Sequence, residues 1–331
     1  MRIGMNPQKE SKKIELECQH RLIIVVFIPE LQGYYKSMFN VFKLCLSSAV
    51  STINGNCAIT IVNNGSCEDI KNYLDEKLQA NVIDTVIHHA KNIGKIDALI
   101  GAARASREPL ITISDVDILF EKGWQEATET IFSTIKNVAS VSPIPCKLFQ
   151  DYETSSTLLK ILMKKVKFTY EVIPSNFQSH NRYLKSFNWK LETNKNSSWP
   201  VIESNGVKCI VGSGHQILTM RRELFFSNVP LEPSLTLVGN KSEYQYCDLP
   251  INLSGGMRVS TYHNKAFHMG NEVERWMFDI QKKNEEYQDA DPEQYVSFSL
   301  PSFNPKRPNP YWFSLKKRIT HKLFNIIYKK K

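Results

Sequence analysis

Two carboxylates stand two residues apart at the end of an apolar run, where Leu110–Ile113 leads into Ser114-Asp115-Val116-Asp117. In extended backbone alternate side chains share a face, so Asp115 and Asp117 would point one way and Val116 the other. Two hard oxygen ligands in that position suit Mg²⁺ or Mn²⁺ held together with substrate phosphates. The chain's other metal-type residues form no such pattern. Its seven cysteines make no CxxC pair, and their odd number reads as free thiols in a reducing compartment. His88-His89 ends an apolar run with no acid in register and reads as surface.

The elements that would position these carboxylates alternate along the first 142 residues. Leu22–Ile28 is a continuous β-branched apolar run, as expected of a strand buried on both faces. A helix is predicted over about Tyr34–Val50, a strand over Ala58–Val62, a helix over Glu68–Leu78, a strand over Val82–Ile87 and a helix over Lys95–Ala105. Leu110–Ile113, a helix over Gly123–Ile135 and a strand over Val138–Val141 complete the series. Strands alternating with crossover helices predict a doubly wound, mostly parallel sheet, whose ligands bind beyond the carboxyl ends of the strands. Asn63 and Asp115–Asp117 fall there. The second half is less regular. Residues 174–206 carry six Asn and six Ser among scattered aromatics and read as a long functional segment without clear period. Gly206–Met220 alternates like strand, Glu243–Ser254 reads as a helix cut short by Pro250, and Glu272–Tyr287 as a polar helix.

With 331 residues, 42% hydrophobic and 23% charged, the chain is neither a rod, a collagen nor a mostly disordered polymer. The first apolar run is too short for a signal core, and no stretch of about 18 apolar residues offers a membrane span. The net charge of +9 is uneven: residues 294–331 hold nine Lys and Arg and no acid, and the remaining 33 basic residues equal the 33 acidic ones. A neutral body argues against nucleic acid as a partner. The tail Tyr311–Lys331 places Leu315, Ile319, Leu323, Ile326 and Ile327 on one helical face among Lys316, Lys317, Arg318, Lys322 and Lys329–Lys331, behind Trp312, Phe313 and a Pro/Asn-rich linker at 301–310. A basic amphipathic helix of this kind suits an anionic membrane surface.

Three segments in order carry a family likeness: Ile61-Val62-Asn63-Asn64-Gly65-Ser66, then Asn92-Ile93-Gly94-Lys95 through Gly101-Ala102-Ala103, then Ile113-Ser114-Asp115-Val116-Asp117. Together the order and spacing resemble the large bacterial family 2 of inverting glycosyltransferases, which have the A-type fold and the pattern V-D-N-G-S, N-x-G-x-x-x-A-x-N-x-G, D-x-D. The likeness spans residues 20–143 well and 206–270 loosely. It implies that Pro29, Glu30, Asn63, Asn92, Lys95 and Asp115 contact the nucleotide-sugar. Asn63 stands where the family usually has an Asp that bonds the base. Asp117 would bind Mn²⁺ or Mg²⁺ directly, completed by His268 of Ala266-Phe267-His268-Met269-Gly270, which resembles the family's H-x-G. Cys247-Asp248-Leu249, with Gly255-Gly256 downstream, resembles the E-D motif whose acid takes the acceptor's proton. Asp248 is then the candidate base, with Glu243 in reserve, and a helix cap is the structural alternative for Asp248. Glu272-Val273-Glu274-Arg275-Trp276 is only faintly similar to Q-x-x-R-W.

The resemblance implies a metal-dependent inverting glycosyltransferase with a nucleotide-sugar donor and a glycan or lipid-linked acceptor, working in surface polysaccharide synthesis. It would be a cytoplasmic enzyme, peripheral on the inner face of the plasma membrane. The expected organisation is an N-terminal extension at 1–20, a donor half at 21–143, an acceptor and catalytic half at 144–290, and a linker with basic tail at 291–331. Competing readings are a sugar nucleotidyltransferase and a non-catalytic glycan-binding or membrane scaffold. The first lacks the Gly-rich basic loop after the first strand, and the second is favoured by Asn63 and Cys247. A phosphatase of haloacid-dehalogenase type would need Gly-Thr after Asp117, where the chain has Ile118-Leu119.

Overall fold

The computed structural model describes residues 4–6, 9, 13–288 and 297–328. Lys329–Lys331 of the expected basic tail, residues 289–296 and much of the N-terminal extension lie outside the described residues. The first half runs β1 (His20–Val26), α1 (Met38–Thr52), β2 (Cys57–Asn63), α2 (Glu68–Gln79), β3 (Thr85–His88), α3 (Lys95–Ala105), β4 (Leu110–Ser114), β5 (Ile118–Phe120), α4 (Trp124–Thr134) and β6 (Val138–Ser142). The second half continues with α5 (Ser155–Leu162), β7 (Lys167–Val172), α6 (Asn176–Ser186), β8 (Ser198–Ser204), β9 (Val207–Val211), β10 (Ile217–Arg221) and α7 (Leu224–Ser227). It closes with α8 (Asn240–Glu243), α9 (Leu249–Leu253), β11 (Met257–Thr261), β12 (Ala266–His268), α10 (Arg275–Gln288) and α11 (Pro310–Tyr328).

Ten strands form one sheet in the order β3-β2-β1-β4-β10-β6-β11-β9-β8-β7, and β5 pairs with β12 in a separate two-stranded ribbon. β3, β2, β1 and β4 are parallel neighbours, and β10 lies antiparallel between β4 and β6. Seven of the ten strands run the same way, β7, β9 and β10 opposing them, so the sheet is α/β and mostly parallel in direction. The unbroken apolar run of β1 has a simple cause. Leu22, Ile24 and Val26 pack into a cluster with Phe42 and Leu46 of α1, Leu74 of α2 and Met277 of α10. Ile23 and Val25 face the other side, against Ile96, Leu99 and Ala103 of α3. Both faces are covered, and each fully buried Leu or Ile contributes about 1.5–3 kcal/mol. A third cluster joins Phe132 of α4, Leu158 and Ile161 of α5 and Phe324 of α11 under β6, β9 and β11.

The structure departs from the sequence expectations in three places. Residues 174–206 are not structureless: α6 and the whole of β8 lie within them. Pro250 does not cut its helix. The helical run passes from α8 through a wide turn at Tyr244–Asp248 into α9, and Pro250 sits in the first turn of α9, where a missing N–H costs little. α11 is docked by the face opposite its apolar stripe. Thr320 and Phe324 are buried, Phe324 against Phe168 at 5.3 Å, while Leu315, Ile319, Leu323, Ile326 and Ile327 stay 41–66% exposed. No helix among the described residues is long and apolar enough to cross a membrane.

Candidate active site

The carboxyl ends of β1, β2 and β4 meet as expected, and tight turns shape the rim. Pro29 and Glu30 follow β1 and are exposed. Asn63 ends β2 and is buried. Its Oδ1 accepts from the Ser66 N–H at 2.9 Å, and the Ser66 hydroxyl accepts from the Ile28 N–H at 2.9 Å. Its amide Nδ2 lies 3.0 Å from His88 Nδ1, and His88 Nε2 lies 3.0 Å from Asp75. An amide nitrogen can only donate, so His88 Nδ1 accepts and Nε2 carries the His88 proton toward Asp75. His88 is therefore a surface residue with a task, holding Asn63 in its rotamer. Gly65 has φ +85°, and a Cβ there would sit 2.8 Å from the Asn92 backbone N. Asn92 Oδ1 accepts from Asn64 and from the Gly94 N–H, which ties this turn to the start of α3. Gly94 has φ +101°, and its Cβ would meet the Thr236 carbonyl at 2.4 Å. The 230–239 loop can thus close on α3, where the Lys95 N–H donates to Leu237 O at 2.8 Å.

Lys95 links the two halves of the site. Its Nζ is 2.6 Å from Asp115 Oδ1 and 2.6 Å from Glu243 Oε1. Burial opposes its charge, but the two carboxylates more than offset that and raise its pKa. Glu243 Oε2 lies 3.2 Å from His215 Nε2, and His215 Nδ1 lies 3.1 Å from Asp248 Oδ2. Asp248 is fully buried. Arg258 Nη2 reaches its Oδ1 at 2.6 Å, and the Tyr152 hydroxyl donates to its Oδ2 at 2.7 Å. Both oxygens of Asp248 are thus engaged. Burial pushes its pKa up, and Arg258, His215 and Tyr152 outweigh that and lower it.

Asp117 and His268 are brought together by the β5–β12 ribbon, in which His268 pairs with Ile118 and the Met269 N–H donates to Asp117 O at 2.8 Å. His268 Nε2 is 3.2 Å from Asp117 Oδ2. The other ring nitrogen lies 3.0 Å from the Ser186 hydroxyl, and Phe187 stacks on the ring at 4.6 Å, both residues supplied by the end of α6. Asp117 Oδ1 is buried without a partner. Burial raises the Asp117 pKa, His268 opposes it and Asp115 adds to it. An orphaned carboxylate oxygen beside an imidazole fits a divalent cation. Among the described residues no three His, Cys, Asp or Glu side chains converge as a ready-made metal group.

Sequence reasoning missed His215, Tyr152 and Arg258, which orient the acids, and Ser186 and Phe187, which fix His268. The Gly212-Ser213-Gly214-His215 stretch was the available signal for the first. The network makes stability depend on pH from both sides. Burial opposes the His215 charge, but the hydrogen bonds it donates to Asp248 and Glu243 push its pKa from 6.5 up to about 9. Its contribution is therefore complete below about pH 6.5 and is lost as pH rises through about 9, a loss of up to ~3 kcal/mol. The His215 hydrogen bond and Lys95 hold Glu243, against burial, down at about 2 from 4.5. That contribution, partly the same contact seen from its other end, is lost as pH falls through about 2. Denaturant melts from pH 6 to 10 are expected to show a decline in the native chain and a flatter profile in His215→Asn. Equal slopes would rule out a charged His215.

Residues 34–184 match the family model described as glycosyl transferase family 2. No curated protein matches the chain in sequence. Similar solved structures include the mannosyltransferase PcManGT from Pyrobaculum calidifontis in complex with GDP-Man and Mn²⁺, at 12% identity and TM-score 0.41 over 75% of this chain and 56% of that one. GalNAc-T7 with UDP, GalNAc and Mn²⁺ is 14% identical at TM-score 0.46, over 77% of this chain and 44% of that one. S. aureus TarS 1–349 is 9% identical at TM-score 0.44, over 84% of this chain and 67% of that one. The chain spans about half the length of the first two, 56% and 44%. A sheet of this topology, carrying Asp115 and Asp117 at its carboxyl ends within the matched segment, is the A-type architecture, and residues 34–184 are the part of the chain that is similar to glycosyl transferase family 2.

Proposed function

We propose that the protein is a metal-dependent, inverting glycosyltransferase that moves a sugar from a nucleotide-sugar to a hydroxyl of a glycan or lipid-linked glycan. The observation that carries this reading is Asp117 facing His268 with its other oxygen buried and unpartnered, beside the Lys95 bridge between Asp115 and Glu243. With all four carboxylates ionised, Asp115, Asp117, Glu243 and Asp248 outnumber Lys95, His215 and Arg258 by one. A diphosphate would be repelled from that cluster unless a cation accompanied it. Asp117 and His268 would hold Mn²⁺ or Mg²⁺, which neutralises charge on the leaving diphosphate. Pro29, Glu30, Asn63, Asn92 and Asp115 would line the nucleoside side, Asn63 pre-set by His88 and Asp75.

Within the same proposal Glu243, and not Asp248, is the general base. Asp248 is fully buried and both its oxygens are fixed by Arg258, Tyr152 and His215, whereas Glu243, also nearly buried and held by His215 on one oxygen, has its other oxygen on Lys95, which itself reaches Asp115. Lys95 is drawn to the diphosphate as the donor enters, which releases Glu243 Oε1. Glu243 takes the proton of the acceptor hydroxyl. The oxygen attacks the anomeric carbon from the face opposite the diphosphate, and the breaking C–O pair leaves with that group. Asp248 then acts as a positioning residue, anchored by Arg258 and holding His215 against Glu243. Residues 21–143 would serve the donor and 144–290 the acceptor. Screening UDP-, GDP-, CMP- and dTDP-sugars by thermal shift with Mn²⁺ tests the donor class. A ligand at 100 times its dissociation constant adds roughly 2.7 kcal/mol, and silence across the panel would favour the scaffold reading.

The exposed stripe of α11, with Lys316, Arg318 and Lys322 beside it, supports a peripheral site on an anionic inner-membrane surface, from residues 291–331. Each basic residue close to such a surface is worth about 1 kcal/mol, and salt screens it. The full chain is expected to pellet with anionic vesicles and to be released by salt, and a chain ending at Asn309 to stay in solution. Equal pelleting of the two would end this reading.

A further inference from the structure

A cavity of about 420 Å³ lies beneath the root of α11, between α5, the end of α9 and the 303–308 linker. Leu159, Met163, Phe303, Trp312 and Phe313 give it apolar walls. Lys160, Lys165, Lys306 and Lys316 stand around it, and among the described residues no Asp or Glu lines it. Lys317, also on the rim, is neutralised by Glu153. Lys160 donates to Gly255 O at 2.6 Å. Burial, then Lys306, Lys165 and Lys316, push its pKa down to about 8. Four like charges are thus gathered at an apolar cavity with no balancing acid among the described residues, an arrangement that costs stability unless an anion completes it.

The cavity is also remote in topology from the chemistry. Asn137, which lines it, precedes β6, and Gly255 precedes β11. Both strands run with β4, whose carboxyl end leads to Asp115 and Asp117, so the cavity sits at the opposite ends of the strands. We propose that this cavity binds the phosphate of an anionic phospholipid, with the lysines on the phosphate and the acyl chains leaving along Trp312 and Phe313. The lipid is an anchor and not the acceptor. It rests on the reading of α11 as a membrane-facing helix, and adds to it a headgroup site that a purely adhesive helix would lack. The apolar walls favour a lipid over free phosphate as the source of the anion.

The test uses the full chain and dihexanoylphosphatidylglycerol below its micelle concentration, with inorganic phosphate and dihexanoylphosphatidylcholine as parallel probes, read by calorimetric titration and thermal shift. The soluble anionic lipid is expected to bind and to raise the melting temperature, and the choline lipid is not. Lys160→Met with Lys306→Gln is expected to weaken that binding at least about tenfold, since a charged hydrogen bond is worth about 1.5–3 kcal/mol. Its melting temperature without lipid should be unchanged or higher, which confirms folding. Ile319→Ser with Ile326→Ser is expected to abolish vesicle pelleting while leaving the soluble lipid's affinity intact, so failure of the headgroup site and failure of the membrane helix are read separately. The proposal is overturned if the anionic lipid does not bind, if the lysine variant binds it equally, or if the choline lipid competes. Inorganic phosphate binding as tightly as the lipid would overturn the lipid as the source.

Discussion

Asp117→Asn is expected to lower sugar transfer at least about 10³-fold, because a bound cation stabilises the departing charge by several kcal/mol and Asp117 is its anionic protein ligand in the proposed site. The fold should not suffer. Asp117 is half-buried, its Oδ1 is buried without a partner, and desolvation raises its pKa. Removing its charge removes a desolvation cost, and the amide still reaches His268. The melting temperature of the variant should therefore match or exceed that of the native chain. Excess EDTA should reproduce the loss of activity in the native protein, and Mn²⁺ should restore it. Full turnover in EDTA, or an Asp117→Asn chain that retains most activity, would remove the metal from the proposal.

Glu243→Gln is expected to cut transfer by about 10²–10⁴, the usual worth of a positioned base, with donor affinity little changed. Asp248→Asn should behave differently. Arg258 is fully buried and its Nη2 rests on Asp248 at 2.6 Å, so loss of that carboxylate strands a buried charge. Breaking such a pair costs about 3–5 kcal/mol of stability. The expected signature is a large fall in melting temperature with a rate loss below about tenfold where the variant is still folded. The pH–rate profiles separate the roles further, because removing a base erases the limb that belongs to it and removing an anchor only shifts it. The assignment fails if Asp248→Asn keeps its stability and loses the rate while Glu243→Gln works normally.

Most of the frame was legible because a strand buried on two faces is apolar at most of its positions, and its few polar ones are hydrogen-bonded. β1, β2 and β4 announce themselves this way, and helices with a 3.6 period separate them. The positions of Asn63, Lys95, Asp115 and Asp117 follow from where such strands end. The second half was harder for physical reasons. α6 is polar and carries Asn and Ser, which favour turns in isolation, and it is held by buried Tyr183, Leu184 and His180 instead of by propensity. The wide turn at Tyr244–Asp248 rotates Glu243 and Asp248 away from simple helical phase, so no spacing rule could tell which acid meets Lys95. β5 and β12 are three residues each and too short to show a period, yet they set the distance between Asp117 and His268.

β10 has a consequence for how the chain comes off the ribosome. It fills the gap between β4 and β6, and Ile217–Arg221 pairs with Leu110–Ser114 from about a hundred residues upstream. At translation rates of about 5–20 residues per second, β4 waits on the order of 5–20 s with one edge unpaired, and β6, whose neighbours β10 and β11 both come later, waits with two. Open apolar edges are templates for the wrong partner. The segment matched at 34–184 therefore cannot complete its own sheet, and a nascent chain halted near residue 184 would be a client for chaperones, with the β3-β2-β1-β4 end of the sheet formed and its central seam open.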